Sequence, residues 1–503
     1  MGNFIKFAKT ASLGALKKLI GQTAIYGLSS IVGRLLNYLL VPLYTYTLPT
    51  GEYGMVTELY SYVALIFAFL LYGMETTFFR FSETEKNNKK VLSTASISLL
   101  GSTMIFLVFS LIFRESIAHS IGYENHVNFI IWFILIISFD TLTAIPFAWL
   151  RQKNKAMKFA LLKLANIFVS LALNLFFILY CPKVIHAGES HFLYGFVSSF
   201  FNSEQLVQYI FISTLAASAI TFLLLLPVYK NLKYGFDSKL WKKMMPYALP
   251  ILVVNIAGLV PISMDKILLP FLYSGSHEAG MQQLGIYGAN AKIAVIMLLF
   301  IQTFRYAADP FFFSEAQNKN AKQTYARVMH WFVIFGSFIF LSTMMFIDII
   351  KYMVGSSYRE GLYVVPILLM ANLMLGIYYN LSFWYKLTNK TIYGAWFSVV
   401  GAIIAIALNF ILVPRFGFYG SAWSVFAAYF VPLLLSLYFG RKNYPIPYQI
   451  KSMVFYPVLV ALLVGISSYF QLSIFWNGGI ITFFLILVFT METKLMPLRF
   501  HQA

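Results

Sequence analysis

Fourteen long apolar runs follow one another along the chain, separated by short polar connections. They begin near Gln22, Met55, Val91, Val127, Lys158, Val207, Lys243, Gly285, Arg327, Gly361, Tyr393, Phe418, Ser452 and Phe475. A helix needs about 20 apolar residues to cross the hydrocarbon of a bilayer, and these runs meet that length. They are unbroken, whereas a membrane β-barrel alternates over segments of about ten residues. The pattern therefore predicts an all-α integral membrane protein of about 14 transmembrane helices.

The polar connections carry a second pattern. With the N-terminus placed in the cytoplasm, inside loops and tails hold about 27 Lys and Arg and outside loops hold 5: Arg114, Lys183, Lys351, Arg359 and Arg415. This positive-inside bias predicts that both termini are cytoplasmic, as an even helix count requires. It also accounts for the net charge of +19. Cations strung along alternate loops set topology and do not form a nucleic-acid-binding face. Composition agrees: 60% of residues are hydrophobic and 11% charged, with a mean hydropathy of +0.75, against about 25% charged in a soluble domain.

Short repeats divide the runs. Tyr53-Gly54 opens the second run and Tyr287-Gly288 the eighth. Ala172-Leu173-Asn174-Leu175-Phe176 lies in the fifth, and Ala407-Leu408-Asn409-Phe410 in the eleventh. The offsets are 288 − 54 = 234 and 409 − 174 = 235, with Pro182 and Pro414 at 232. Six helices fit in that offset, so the halves share one membrane orientation, a parallel repeat used by transporters. The predicted domains are a basic interfacial lead-in over 1–21, an N-terminal six-helix bundle over 22–229, and a basic cytoplasmic linker over 230–243. A C-terminal six-helix bundle follows over 244–440, then two additional helices and a cytoplasmic tail over 441–503. Pro246, Pro250, Pro261 and Pro270 crowd the seventh run. Proline removes a backbone donor and clashes with the preceding turn, so this helix is expected to bend along a cavity. The alternative is that Pro246 and Pro270 mark its ends and Pro261 gives one kink.

Charges left inside the runs are costly and mark function or pairing. The cations are Arg34, Lys163, Lys266, Lys292 and Arg305; the anions are Glu58, Glu75, Asp140, Asp265 and Asp309. Arg34, Lys266, Lys292 and Arg305 are candidate phosphate-binding residues, because phosphate in a low-dielectric site needs Arg or Lys partners. Equal counts of the two signs leave structural pairing open for each. Arg305 and Asp309, four apart, can touch on one helix face. Lys163 is read as a residue that snorkels to the inner boundary. Neighbours in a helix point about 100° apart, so Asp265 and Lys266 are read as separate charges. Asp140, Glu75, Asp265 and Asp309 are candidates for coupling or gating.

Other chemistry is sparse. Cys181 is the single cysteine and the seven histidines are scattered, so no metal-ligand spacing appears. No Gly-rich phosphate-binding loop is present. No cofactor and no catalytic constellation is predicted.

Several motifs resemble one known family. Gly33-Arg34-Leu35-Leu36, Val41-Pro42-Leu43-Tyr44-Thr45, Glu52-Tyr53-Gly54 and Gly73-Met74-Glu75 with Arg80-Phe81 are similar to the first two helices of oligosaccharide flippases of polysaccharide biosynthesis. Leu249-Pro250, Asp265-Lys266, Gly285-Ile286-Tyr287-Gly288 and Ala307-Ala308-Asp309-Pro310-Phe311 resemble its seventh and eighth helices. Leu408-Asn409, Val413-Pro414-Arg415-Phe416-Gly417 and Gly420-Ser421-Ala422 resemble its eleventh-to-twelfth turn. The likeness extends over roughly 20–440. It implies the fold of the multidrug, oligosaccharidyl-lipid and polysaccharide exporter superfamily: two six-helix bundles in a V, working by alternating access. It implies a bacterial inner-membrane flippase, not an enzyme, moving a polyprenyl-diphosphate-linked oligosaccharide outward for O-antigen, capsule or exopolysaccharide. A glycan polymerase and glycosyltransferases of the pathway are the implied partners. Arg34 and Lys266 match positions where relatives often carry basic residues. Lys266 departs from the more usual Arg, which weakens the case for bidentate phosphate binding there. A peptidoglycan-precursor flippase and a multidrug or cation antiporter of the same fold remain alternatives. A membrane glycosyltransferase lacks a convincing acid pair in the longest outer loop, where only Glu189 and Glu204 occur.

Overall fold

The computed structural model describes residues 38–500 apart from 86, 231, 233 and 234, and leaves aside the side chains of 307, 309, 310 and 494–500. The first apolar run lies largely outside these residues, and Arg34 and the basic lead-in over 1–21 lie wholly outside them.

The described residues form helices and no strands. The longer ones are α1 (Leu40–Thr47), α2 (Thr50–Leu71), α3 (Met74–Thr84), α4 (Asn88–Ile112), α5 (Val127–Gln152), α6 (Ala156–Leu175), α7 (Leu206–Tyr229) and α8 (Ser238–Leu272). They continue with α9 (His277–Ile293), α10 (Val295–Glu315), α11 (Ala321–Met345), α12 (Val364–Leu381), α13 (Ile392–Phe416), α14 (Phe418–Asn443), α15 (Ile450–Tyr469) and α16 (Ile474–Phe500). Twelve helices are long and apolar enough to span a bilayer, and up to 13 when the bent pair α9–α10 counts as one span. With the first run outside the description, this is the many-helix membrane protein that the apolar pattern predicts.

Two compact units emerge. One comprises Met1–Leu48 and Leu59–Ile256; the other comprises Pro49–Glu58 and Ala257–Ala503. The division falls inside α2 and inside α8. The first unit accounts for this locally. Gly73, at φ 73°, separates α2 from α3. A Cβ there would lie 2.6 Å from the Ala248 carbonyl and 2.8 Å from Ile251 Cβ. The start of α8 is therefore packed backbone-close on the α2–α3 break. Arg80 of α3 stacks over Tyr247, 4.2 Å from the ring centre. Met74, Phe78, Leu92, Trp149, Leu225 and Met244 fill the core beside it.

In the second unit the first turns of α2 cross α9 at the repeated glycines. A Cβ on Gly54 would lie 2.1 Å from the Met281 carbonyl, and one on Gly285 would lie 1.8 Å from the Thr50 carbonyl. Gly288 faces Thr57, with 2.5 Å from a would-be Cβ to its hydroxyl. Small residues let membrane helices approach this closely.

The C-terminal hairpin docks on α11 at both ends. His330 Nε2 lies 2.8 Å from the Glu492 carboxylate, and Tyr456 donates to the same oxygen at 3.1 Å. At the other end Asn477 donates to the Met345 carbonyl at 3.0 Å and accepts from Ser467 at 2.6 Å. Buried polar groups need such partners most in hydrocarbon.

The seventh span corrects the alternative reading of its prolines as end markers. α8 runs unbroken from Ser238 to Leu272, so all four prolines lie inside it and neither Pro246 nor Pro270 marks an end. Each proline deletes one backbone bond, and the flanking turns carry the helix across. The break falls in the eighth span, where α9 and the start of α10 meet at 43° around Ala294. The Ala294 carbonyl accepts a hydrogen bond from Asn372 of α12 at 3.1 Å.

Candidate functional site

The second unit gathers most of the candidate cations. Asp265 and Lys266 are adjacent on α8, and the structure pairs them: Lys266 Nζ lies 3.1 and 3.0 Å from the two carboxylate oxygens. This corrects the reading of two separate charges. The Cβ atoms do diverge, but four methylenes let the lysine fold back, and its Nζ also donates to the Ile262 carbonyl at 2.7 Å. Tyr287 of α9 donates to the Asp265 carboxylate at 2.6 Å. Asp265 is 1% exposed, so these donors replace the water it has lost. Ser421 of α14 donates to the Asp265 backbone carbonyl at 3.3 Å and to Asn409 Oδ1 of α13 at 3.1 Å. Four spans, α8, α9, α13 and α14, are thus tied together at Asp265.

Lys292 projects from the last turn of α9, one residue before the helix breaks. The neighbouring charge that acts on it is that of Lys266. No ion pair of Lys292 occurs among the described residues. Arg305, on α10 beyond the break, stacks its guanidinium 4.2 Å from the centre of the Tyr379 ring, a cation–π contact. The proposed contact of Arg305 with Asp309 lies outside the described side chains, as does any role of Asp309.

The first unit holds its own charged cluster. Glu75, in the first turn of α3, accepts from Arg151 of α5 at 3.0 Å. Both side chains are about 40% exposed, at 40% and 44%, so this pair is solvated and weak. Arg151 also lies over the Phe79 ring, at 4.9 Å. Asp140 of α5 meets the Ser218 hydroxyl of α7 and the charge of Lys163 on α6. Lys163 is exposed on α6. Its Nζ sits 4.2 Å from the centre of the Phe147 ring, and Asp140, Glu75 and Arg151 are the charges it feels. Polar side chains line the same bundle: Tyr60 with Thr214 at 2.6 Å, and Asn166 donating to Thr221 at 2.8 Å.

Composition could flag Lys163 but could not orient it. Tyr287 and Asn409 stood in the repeated motifs without an assigned role. Tyr379 carried no sequence signal. No group of three metal-ligating side chains occurs among the described residues.

A chain whose described residues are helical, with this many apolar spans and ionic side chains on several of them, has the build of a polytopic membrane protein. Solved structures share that fold. A lipid II flippase MurJ in an inward closed conformation superposes with a TM-score of 0.70 at 14% identity, covering 94% of this chain and 98% of its own. An inward-facing multidrug resistance MATE family transporter of the MOP superfamily gives 0.62 at 12% identity, covering 82% and 94%. A MATE bound to MaD3S gives 0.59 at 12%, covering 85% and 95%. No curated protein sequence matches the chain. The family model described as polysaccharide biosynthesis protein matches residues 19–317, and the chain belongs to that family.

Proposed function

We propose that this protein flips a polyprenyl-diphosphate-linked oligosaccharide from the cytoplasmic to the outer leaflet of a bacterial inner membrane. The product feeds O-antigen, capsule or exopolysaccharide assembly, with glycosyltransferases upstream and a glycan polymerase downstream. Both termini are cytoplasmic in this reading, and the cycle runs by alternating access. The observation that carries it is Lys292. A lysine at a helix break, beside the second cation Lys266 and without an ion pair among the described residues, suits a diphosphate better than a cationic drug. Lys266, Arg305 and Arg34 are assigned to the same substrate. Asp140, Asp265, Glu75 and Asp309 are assigned to coupling or gating.

Replacing Lys292 in a deletion strain tests the assignment. A bond to a charged group is worth about 1.5–3 kcal/mol, so Lys292→Gln should cut surface glycan roughly tenfold or more, while lipid-linked glycan accumulates on the cytoplasmic side. Lys292→Arg should keep most export. Wild-type surface glycan in Lys292→Gln, at equal protein level, refutes the cationic site. Arrest of cell-wall synthesis with intact surface glycan moves the substrate to a peptidoglycan precursor lipid.

A further inference from the structure

One groove in the second unit belongs to none of the groups discussed so far. It lies between the first turns of α13 and the last turns of α14 and has a volume of about 430 Å³. Ile392, Tyr393, Trp396, Phe397, Leu435 and Phe439 line it, with Val400 at its far end. Its floor is aromatic: Tyr393 and Phe397 each pack on Phe439, with ring centres 5.4 and 5.9 Å apart. Its rim is open, since Ile392 and Trp396 are each 65% exposed. The same face of α13 continues through Ile403 and Phe410, 61% and 55% exposed. Positions 392, 396, 403 and 410 fall on one helical stripe, and a stripe this apolar on a membrane-spanning helix faces lipid. From Ile392 to Val400 the groove runs about 12 Å at 1.5 Å per residue. That is close to the depth of one leaflet of a hydrocarbon core about 30 Å thick.

Charge marks one end of it. Lys390 precedes Ile392 by two residues, and Arg441 and Lys442 follow Phe439 after Gly440. Lys390 donates to Asn443 at 2.7 Å, which holds the two helix ends together. Lys390, Arg441 and Lys442 are exposed, and none of them has an ion pair among the described residues. The sequence provides no local counter-ion either: no Asp or Glu occurs between Glu360 and Glu492. Trp396, Tyr393 and Tyr438 sit beside these cations as side chains of the membrane interface do.

We propose that this groove is a binding site for an anionic phospholipid. One acyl chain lies on the Tyr393–Phe397–Phe439 floor, and the headgroup phosphate is held by Lys390, Arg441 and Lys442. The apolar length, the aromatic interface and the uncompensated cations at one end match the three parts of such a lipid. A juxtamembrane cation contributes about a fivefold gain in binding to an anionic lipid.

Tryptophan quenching on the full-length protein in lipid nanodiscs tests the site. Trp396→Phe alters an exposed side chain, so the difference between it and the parent isolates the Trp396 signal. Brominated phosphatidylglycerol should quench that signal at a lower mole fraction than brominated phosphatidylcholine of the same chains. Each of Lys390→Gln, Arg441→Gln and Lys442→Gln should weaken the preference about fivefold, without loss of monodisperse protein. Equal quenching by the two lipids in the parent means ordinary boundary lipid and overturns the proposal. An unchanged preference in the triple variant overturns the headgroup assignment and with it the site. Displacement of brominated phosphatidylglycerol by equimolar polyprenyl phosphate overturns it in favour of the transported lipid. None of these readouts depends on transport, so they separate this site from the flippase reading.

Discussion

Lys266→Met is the sharpest perturbation of the second unit. It removes the cation 3.0 Å from the Asp265 carboxylate and leaves the side-chain volume nearly unchanged. Asp265 is 1% exposed, so water cannot replace the lost partner, and Tyr287 alone donates to the carboxylate at 2.6 Å. Removing one partner of a buried pair costs about 3–5 kcal/mol, whereas removing both charges is often nearly neutral. Asp265→Asn with Lys266→Met should therefore recover most of the loss, with a coupling of about 2 kcal/mol or more in the double-mutant cycle. Tyr287→Phe should cost about 1.5–3 kcal/mol, as expected for a hydrogen bond to a charged group. Denaturant unfolding of purified protein in mixed micelles measures these three variants and Asp265→Asn alone, which closes the cycle. A Lys266→Met protein as stable as the parent, or a double variant no better than the single, refutes the pairing. Surface glycan in the same strains gives the functional half. Normal export in the stable double variant would show that Lys266 serves to neutralise Asp265 and is not a phosphate ligand.

Two further outcomes follow from the packing. Gly54→Ala and Gly285→Ala place a methyl 2.1 and 1.8 Å from opposing carbonyls, so the α2–α9 crossing must open; a loss of about 1–3 kcal/mol is expected. Gly101→Ala, with nothing within 4 Å of its would-be Cβ, should be neutral or stabilising by up to about 1 kcal/mol, and equal effects at the three sites would refute the close crossing. Asp237 caps α8 by accepting from the Leu240 amide at 2.9 Å. Its ion pair with Lys90, first, and then this capping bond hold its carboxyl down at about 2. A depressed carboxyl stabilises the fold above its unfolded value of about 3.9, and the contribution is lost as pH falls through about 2. The midpoint of thermal unfolding should therefore fall more steeply between pH 4 and pH 2 (roughly that window) in the parent than in Asp237→Asn; parallel curves refute the cap.

How much of this was legible in the chain depends on how local each cause is. The spans were, because a bilayer demands about 20 apolar residues wherever the chain crosses. The paired asparagines show why two short motifs can be meaningful. Asn174 turns its amide onto the Ser170 carbonyl at 2.7 Å and accepts from Tyr44 at 2.9 Å. Asn409 turns its amide onto the Ala405 carbonyl at 2.7 Å and accepts from Ser421 at 3.1 Å. The two residues do the same work, so the same residue type stands at both positions. The position of the break in the eighth span was not legible. Prolines pointed to α8, but what holds the break at Ala294 is Asn372, 78 residues away. A local signal cannot report a distant donor.

The charges failed in a more instructive way. Five cations against five anions suggested that pairing could neutralise them all, but the tally assumed that partners come from inside the runs. Glu75 pairs with Arg151, which the sequence places among the loop charges. Asp265 takes its own neighbour, and Asp140 faces Lys163. Once Glu75 draws on a loop cation, the balance within the spans no longer closes, and among the described residues it leaves Lys292 at a helix break with another cation as its electrostatic neighbour. A lysine held in that position costs stability in a bilayer, and an anion arriving with the substrate would relieve it. On that ground Lys292, more than the paired Lys266, is the residue at which the diphosphate hypothesis stands or falls.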